Sequence, residues 1–342
     1  MKRSDTSVSR TVLLVAGASA GFLYWALRRC RRRIDFCGMS VVISGGSRGL
    51  GLELARQLAR EGARLALLAR NPDELERARV QLAQTGADVL TLPCDITNRQ
   101  EVEEAVAAIV DFRGCIDVLI NNAGIIQVGP YENMELKEFQ ESVDTHAWGP
   151  FHLIRAVVPH MQLRRKGRIV NISSIGGLVA VPHLLPYTMG KFALTGLSDG
   201  FRAELAQHGI LVTTVAPGLM RTGSHVNALF KGQHRKEFAW FAISGANPLL
   251  STSAPQAAKK IIEACRYGDP RLIITFPARL LHILNALFPG IVAFGTGLAA
   301  RLLPEPAKSS ENALHTGRES SSFAAPSILT KPSDKAVEPN NE

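Results

Sequence analysis

The chain has 342 residues, 46% of them apolar, which is enough to form a sizeable hydrophobic core and excludes disorder throughout. The net charge of +9 is concentrated at the start, because residues 1–37 carry eight Lys or Arg against two Asp. This basic excess flanks an apolar stretch and favours a membrane surface over nucleic acid. No helix-turn-helix, zinc spacing or aromatic-basic interleaving indicates a nucleic-acid partner. Five cysteines without CxxC pairs predict reduced thiols and no metal site.

The first predicted element is an apolar segment. Thr11 to Leu27 has no charge and is bounded by Arg10 and by the run RRCRRR. Its length is at the short end for a spanning helix, and the arginines that follow it predict a single-pass anchor with the body of the chain facing the cytoplasm. A cleaved signal peptide is the alternative, because Ala18-Ser19-Ala20 resembles a cleavage site. We expect the anchor and its basic flank to occupy residues 1–37.

The body, residues 38–276, alternates short apolar runs with longer amphipathic stretches. This rhythm is typical of repeated βα units around a buried parallel sheet. The candidate strands are SVVISG, ARLALLA, ADVLTLP, IDVLINN, GRIVNIS, ILVTTVA and RLIITF. The pattern therefore predicts an α/β fold, a Rossmann-like doubly wound parallel sheet of about seven strands.

Two further segments follow the body. Residues 277–303 form an apolar C-terminal extension, in which the uncharged stretch Leu280–Ala300 is interrupted by Pro289-Gly290. A helix-breaking pair at its middle favours a membrane-facing element, a lid or an interface over a second straight span. Residues 304–342 are rich in Ser, Pro, Asn and charged residues, which predicts a disordered tail.

A glycine-rich turn follows the first predicted strand and precedes a helix. Its residues are Ser44, Gly45, Gly46, Ser47, Arg48, Gly49, Leu50 and Gly51. Glycines at such a place permit a tight turn and let backbone N–H groups approach a pyrophosphate at the helix N-terminus. An ordinary loop is the alternative, but the position between strand and helix favours a dinucleotide site.

The end of the second predicted strand bears on which dinucleotide is bound. The sequence there is Ala69-Arg70-Asn71, where an acid would accept the adenosine ribose hydroxyls, and no acid is present. Arg70, together with Arg48 in the turn, offers cations that can pair with a 2′-phosphate. We therefore predict NADP(H) as the cofactor. The alternative is that both arginines are surface charges.

Ser174, Tyr187 and Lys191 are the candidate catalytic residues. Tyr187 and Lys191 are four residues apart, so on a helix they lie on one face. A neighbouring ammonium lowers the pKa of a phenol, which suits an acid or base that works near neutral pH. Ser174 can then hydrogen-bond the reacting oxygen. Taken alone, such a pair is usually a packing or solvated pair.

Over roughly Met39 to Phe276 the chain resembles the short-chain dehydrogenase/reductase family. The matching pieces, in order, are SGGSRGLG, Asp95 and Ile96 in CDIT, Asn121-Asn122-Ala123-Gly124, Ser174, Tyr187 with Lys191, and Pro217-Gly218 followed by Thr222. The resemblance implies that Asp95 contacts adenine and that Asn122, Ala123 and Gly124 line the adenine ribose side. It also implies that Thr222 fixes the nicotinamide amide and that Lys191 binds the nicotinamide ribose.

The sequence departs from the family pattern at two positions. Ser44 stands where the family usually has Thr, which keeps the hydroxyl. His146 stands where the family usually has Asn, supporting a water that relays protons to the lysine. Histidine can donate or accept through its ring, so we expect a relay with an altered pH dependence. The alternative is reduced turnover.

The loop after Pro217-Gly218 and the C-terminal extension point to the substrate. The loop is rich in large apolar residues, namely Val226, Leu229, Phe230, Phe238, Trp240, Phe241 and Ile243. An apolar lid predicts a lipophilic substrate such as a steroid, a retinoid-like aldehyde or a long-chain keto lipid. Membrane-bound hydroxysteroid dehydrogenases are similar in layout, and the resemblance also implies a homodimer or homotetramer. The alternative function is a catalytically weak NADP-binding sensor or scaffold on the membrane.

Overall fold

The computed structural model describes residues 26–27, 29–308, 312–322, 325–327 and 329–342. Its strands are β1 (Ser40–Ser44), β2 (Arg64–Ala69), β3 (Val89–Pro93), β4 (Val118–Asn121), β5 (Gln127–Val128), β6 (Gly167–Ile172), β7 (Ile210–Pro217), β8 (Leu219–Arg221), β9 (Leu229–Phe230), β10 (Ser251–Ser253), β11 (Arg271–Ile274) and β12 (His315–Thr316). Its α-helices are α1 (Gly49–Arg60), α2 (Pro72–Ala83), α3 (Arg99–Arg113), α4 (Leu136–Val143), α5 (Gly149–Leu163), α6 (Leu185–Leu205), α7 (His234–Ala246), α8 (Ala254–Tyr267), α9 (Phe276–Leu287), α10 (Pro289–Ala300) and α11 (Lys331–Asp334). A π-helical turn (Asp144–Trp148) joins α4 to α5, and short 3₁₀ turns are Tyr131–Asn133, Ile175–Gly177, Ala206–His208 and Ser224–Val226.

Seven strands form one parallel sheet, and they are the seven that the sequence predicts. Their order across the sheet is β11-β7-β6-β4-β1-β2-β3, and every neighbouring pair is parallel. The chain winds from β1 towards β3 and then crosses back to β4 on the other side of β1. The order of the strands therefore reverses between β1 and β4, and in open α/β sheets a ligand crevice lies at such a point.

The sheet is buried on both faces. Along β1, Val41 and Ile43 belong to the core that α1, α2 and α8 cover, whereas Val42 belongs to the core that α3 and α5 cover. Successive side chains of a strand point to opposite faces, so an unbroken apolar run is what a doubly covered strand requires. This is why the strands are recognisable in the sequence as continuous apolar runs.

Most of the predicted membrane anchor, Thr11 to Leu27, lies outside the described residues. The chain is held to the body soon afterwards, because Arg29 Nε donates to Asp269 Oδ1 at 2.7 Å. Within the described ranges, no helix combines the length and the apolarity that crossing a bilayer requires. The uncharged stretch Leu280–Ala300 is divided between α9 and α10, which meet at Phe288, so the predicted break at Pro289-Gly290 is confirmed.

The described parts of the tail, residues 304–342, lie against the body, which differs from the disorder that their composition predicts. β12 extends the small sheet formed by β5 and β9, and the last residues reach the glycine-rich turn. Polar side chains make these contacts. His225 Nε2 is 3.0 Å from Asp334 Oδ1, for example, and Asn340 Nδ2 donates to Thr222 O at 3.0 Å. A composition poor in apolar residues predicts the absence of a core, but not the absence of specific hydrogen bonds to another surface.

Candidate active site

The glycine-rich turn lies where β1 ends and α1 begins. Gly45 and Gly49 have positive φ angles of 63° and 57°, and a Cβ on Gly45 would lie 2.8 Å from Ala123 Cα. A Cβ on Gly51 would collide with the main-chain oxygen of Gly45. Arg48, at the N-cap of α1, makes no side-chain hydrogen bond to the helix. A helix N-terminus without a side-chain cap leaves N–H groups free for an anion, so this turn suits a pyrophosphate.

The ends of β1 and β4 are held together by side chains. Ser44 Oγ accepts from the main-chain N–H groups of Asn122 at 3.1 Å and Ala123 at 3.2 Å. In return, Asn122 Nδ2 donates to Ser44 O and Gly45 O at 3.2 and 3.0 Å. The Ser44 hydroxyl therefore makes hydrogen bonds that a threonine hydroxyl at this position could also make. The departure from the family pattern at Ser44 leaves the turn intact.

A cleft of about 400 Å³ opens between these two turns and runs to the end of β6. Most of the predicted site residues line it. They are Gly45, Ser47, Arg48, Gly49, Leu50, Arg70, Asp95, Ile96, Asn122, Ala123, Gly124, His146, Tyr187, Lys191 and Thr222. Five others do not line the cleft, namely Ser44, Gly51, Ser174, Pro217 and Gly218.

These five residues lie behind or beside the cleft. Ser44 and Gly51 shape the turn through the contacts given above. Pro217 is the last residue of β7, and the N–H of Gly218 donates to Ile274 O at 3.1 Å. A Cβ added to Gly218 would collide with the side chain of Thr275. These contacts fix the end of β7, and the cofactor contacts at Pro217 and Gly218 stay a prediction.

The catalytic candidates converge beside the cleft. Ser174 follows β6, and its hydroxyl accepts from Gly176 N at 3.0 Å and lies close to the phenol of Tyr187, which is in the first turns of α6. Lys191, one turn later, donates from Nζ to Ile172 O at 2.8 Å, and Nζ lies 5.6 Å from the centroid of the Tyr187 ring. The helical spacing therefore does bring the phenol and the ammonium to one face, as predicted.

The acidity of the two groups differs from the expectation. Burial raises the pKa of Tyr187 above its usual value of 10, and the hydrogen bond from Ser174 offsets this only in part. Burial also lowers the pKa of Lys191 from 10.5 to about 7. Burial, and not the lysine ammonium, is the largest influence on the Tyr187 pKa here, and its direction is opposite to the predicted one. An effect of the Lys191 ammonium on the phenol stays a prediction.

His146 lies on the π-helical turn beside the catalytic pair. Its Nε2 accepts from Ile125 N at 3.3 Å and its Nδ1 is 3.2 Å from Ser142 Oγ, which indicates a neutral ring with the proton on Nδ1. Burial, and then the charge of Lys191, lowers the pKa of His146 well below 6.5. The ring also packs edge-on against Tyr187, with centroids 5.3 Å apart. Because the His146 ring is neutral near pH 7, its protonation does not explain an altered pH dependence of turnover there. The expected effect of His146 on turnover stays a prediction.

Among the polar residues of the cleft that were not predicted are Glu74, Asn227 and Glu342. Ser47 Oγ donates to Glu74 Oε2 at 3.0 Å, and the same oxygen lies 3.8 Å from Arg48 Nε. Asn227 and Glu342 line the opposite side and hydrogen-bond each other at 2.7 Å. Glu74 lies in the first turn of α2, directly after the predicted second strand, so its position in the sequence could have indicated a place in the cleft. No local pattern in the sequence connects Glu342 to the glycine-rich turn, which lies almost 300 residues earlier.

The fold and the site together define a dinucleotide-binding α/β protein with a serine, tyrosine and lysine beside the cleft. A family model described as short chain dehydrogenase matches residues 39–230. The chain belongs to this family, which confirms the resemblance found in the sequence motifs.

Relatives and solved structures agree with this assignment. Dehydrogenase/reductase SDR family member 7B of Bos taurus is 31% identical over 293 residues, which are 84% of this chain and 89% of the relative. Dehydrogenase/reductase SDR family member 7 of Homo sapiens is 36% identical over 213 residues, 60% of this chain, and the match spans 63% of that relative's length. The crystal structure of a metagenomic short-chain oxidoreductase in complex with NADP is 33% identical, with a TM-score of 0.52, over 54% of this chain and 84% of the other.

The lowered pKa of the buried Lys191 predicts how the stability of the protein depends on pH. This pKa is about 7 in the folded protein and 10.5 when exposed, so the unfolded chain binds more protons between these values. The free energy of unfolding of the wild type, minus that of Lys191→Met, should therefore rise by a few kcal/mol from pH 7 to pH 10. Denaturant unfolding without added cofactor measures it.

The matched control is Lys166→Met, because Lys166 is exposed. Its difference from the wild type should stay level across the same pH range. A level difference for Lys191→Met as well would show that Lys191 is not desolvated.

Proposed function

We propose that the protein transfers a hydride between NADP(H) and a carbonyl or alcohol of a lipophilic substrate. The observation that carries the proposal is the convergence of Ser174, Tyr187 and Lys191 at the end of a cleft whose other end is the glycine-rich turn. A nicotinamide dinucleotide with its pyrophosphate at the turn would extend along this cleft towards the three residues. The nicotinamide, when bound, supplies or receives the hydride.

The residues of the chain handle the proton. Tyr187 keeps its proton at neutral pH because burial raises its pKa, so the phenol can donate to the oxygen of a carbonyl substrate. The Ser174 hydroxyl lies close to the phenol and can donate to the same substrate oxygen. A protonated phenol suits the reduction of a carbonyl, and we propose this direction for the reaction.

Replacing the phenol tests this role. Tyr187→Phe keeps the ring and its packing against His146 but removes the proton donor. We expect turnover of a panel of lipophilic ketones and aldehydes to fall by roughly 10²-fold or more, with NADPH binding unchanged. NADPH absorbance measures turnover, and nucleotide fluorescence measures binding. Retained turnover in Tyr187→Phe, or binding of NADPH by the wild type without turnover on any substrate, would contradict the proposal.

Two arginines support NADP(H) over NAD(H). Arg70 is exposed directly after β2 and lines the cleft, and it occupies the position where an acid would accept the ribose hydroxyls. Arg48 also lines the cleft but lies within 4 Å of the carboxylates of Glu74 and Glu342. Arg70 is therefore the cation more available to a 2′-phosphate. The solved relative that contains NADP is consistent with this choice.

Charge reversal at Arg70 tests the cofactor preference. Arg70→Asp should weaken NADPH binding at least tenfold and improve NADH binding, because a carboxylate repels a 2′-phosphate but accepts ribose hydroxyls. Arg60→Asp is the control, since Arg60 is an exposed arginine at the far end of α1. Titration of both nucleotides against all three proteins measures the change. An unchanged ratio of the two dissociation constants in Arg70→Asp would remove Arg70 from the site.

The surroundings of the catalytic tyrosine support a lipophilic substrate. A separate apolar cluster, built mainly on β9 and α7, packs against Tyr187. Its members include Val128, Leu184, Ala228, Phe230, Phe238, Ala242, Trp240 and Phe241. An apolar wall beside the proton donor favours substrates without charge near the reacting carbon.

The exposed surfaces of helices α9 and α10 support an association of the protein with a membrane. Lipophilic substrates are expected to partition into membranes. Large apolar side chains on both helices are exposed, and Phe276, Ile291 and Phe294 are each at least 67% exposed. Clusters of exposed apolar side chains mark interaction surfaces. We propose that this hairpin lies in the bilayer interface, with residues 1–37 as a single-pass anchor and the body on the cytoplasmic side.

Photocrosslinking tests the membrane proposal on the full chain. Benzoylphenylalanine at position 294 should crosslink to lipid in phosphatidylcholine vesicles, because the proposed interface places this side chain among acyl chains. The control is position 112, where Phe112 is 66% exposed on α3, away from the hairpin. Equal lipid crosslinking at the two positions would contradict the proposal.

A further inference from the structure

The segment Lys335–Glu342 crosses the cofactor cleft at the glycine-rich turn. Asn341 Nδ2 donates to the main-chain oxygens of Ser47 and Glu74 at 2.8 and 3.2 Å, on the side of β1 and α2. On the other side, Asn340 Nδ2 donates to Thr222 O at 3.0 Å. The segment thus bridges the two walls between which a dinucleotide would lie.

The segment uses a hydrogen-bond donor that the turn offers to phosphate. The N–H of Gly49, at the N-terminus of α1, donates to Asn340 O at 2.8 Å. N–H groups at this end of a helix are the ones that bind a pyrophosphate in dinucleotide sites. One N–H cannot serve the peptide oxygen and a phosphate oxygen together at this distance, so the two occupants compete.

The side chain of Glu342 adds an anion at the same place. It is 4% exposed, its Oε2 lies 3.7 Å from Arg48 Nη1, and Asn227 Nδ2 donates to the same oxygen at 2.7 Å. A Cβ on Gly49 would lie 2.5 Å from Glu342 Oε1, so the carboxylate occupies the space that the missing side chain leaves. A carboxylate therefore takes the charged position beside the turn and uses the arginine that a phosphate would also attract.

Contacts outside the cleft hold the segment in place. Arg77 Nε donates to Asn341 Oδ1 at 2.8 Å, and Arg56 donates to Asn340 Oδ1 at 3.2 Å and also to Pro339 O. Arg318 Nη2 donates to the main-chain oxygen of Glu342 at 2.7 Å. Three arginines outside the catalytic constellation therefore bind this short segment, two of them from the body and one from the tail itself.

We propose that Pro339–Glu342 is an intramolecular ligand of the phosphate-binding turn, which excludes the dinucleotide while it is bound and so regulates the enzyme. The inference rests on the proposed function, because it assumes that NADP(H) binds in this cleft. A segment bound nine-tenths of the time raises the apparent dissociation constant of the dinucleotide about tenfold.

Substitution within the full chain tests the proposal. The triple variant Asn340→Ala, Asn341→Ala and Glu342→Ala removes the side chains that hold the segment, and none of them belongs to the catalytic residues. We expect its dissociation constant for NADPH to fall about tenfold below that of the wild type. Glu338→Ala is the control, because Glu338 is exposed in the same segment, and it should bind NADPH as the wild type does.

Two further measurements complete the test, and the second uses the wild type alone. A synthetic peptide of residues 329–342, added to the triple variant, should weaken its NADPH binding, and the same peptide with alanine at 340–342 should not. In the wild type, NADPH should accelerate tryptic cleavage after the exposed Lys335, because the cofactor displaces the segment.

The outcomes separate this inference from the proposed function. Equal NADPH affinity in the wild type and the triple variant, with no effect of the peptide, would overturn the inference and leave the proposed function standing. A lack of NADPH binding in every protein would overturn both.

Discussion

The site depends on the close approach of two strand ends. β1 and β4 are neighbours in the sheet, and the turns that follow them are joined by the Ser44 hydroxyl and the Asn122 amide. Gly45 has to be a glycine because Ala123 lies against it. This contact lies at one side of the cleft, next to the N-terminus of α1, where a dinucleotide pyrophosphate belongs.

Desolvation, more than pairing, sets the chemistry at the other end of the cleft. The same burial raises the pKa of Tyr187 and lowers that of Lys191 and His146. Tyr187 and His146 therefore favour their neutral forms near pH 7, and Lys191 is close to half protonated there. In an apolar surrounding this is the expected direction, since the charged form of each group loses its hydration. A neutral phenol is a proton donor, which agrees with the proposed reduction of a carbonyl.

The two ends of the cleft differ in what they attract. The catalytic end is apolar and neutral, whereas the glycine-rich end has N–H groups and arginines that attract anions. An anionic peptide segment and a pyrophosphate satisfy the same donors, which is the electrostatic basis for the proposed competition by the segment around Glu342. The hydride chemistry at Tyr187 would then be controlled from the far end of the cleft without any change in the catalytic residues.

The sequence by itself determined the sheet and most of the cleft. Doubly buried strands require unbroken apolar runs, and a turn that meets a pyrophosphate requires glycines, so both leave a local pattern. The spacing of Tyr187 and Lys191 likewise survives as one helical turn. The tertiary structure alone decided that these two groups are desolvated, that Gly218 has a structural role, and that Glu342 reaches Gly49. Burial and contacts between distant segments depend on how the whole chain packs, and no local pattern of residues encodes them.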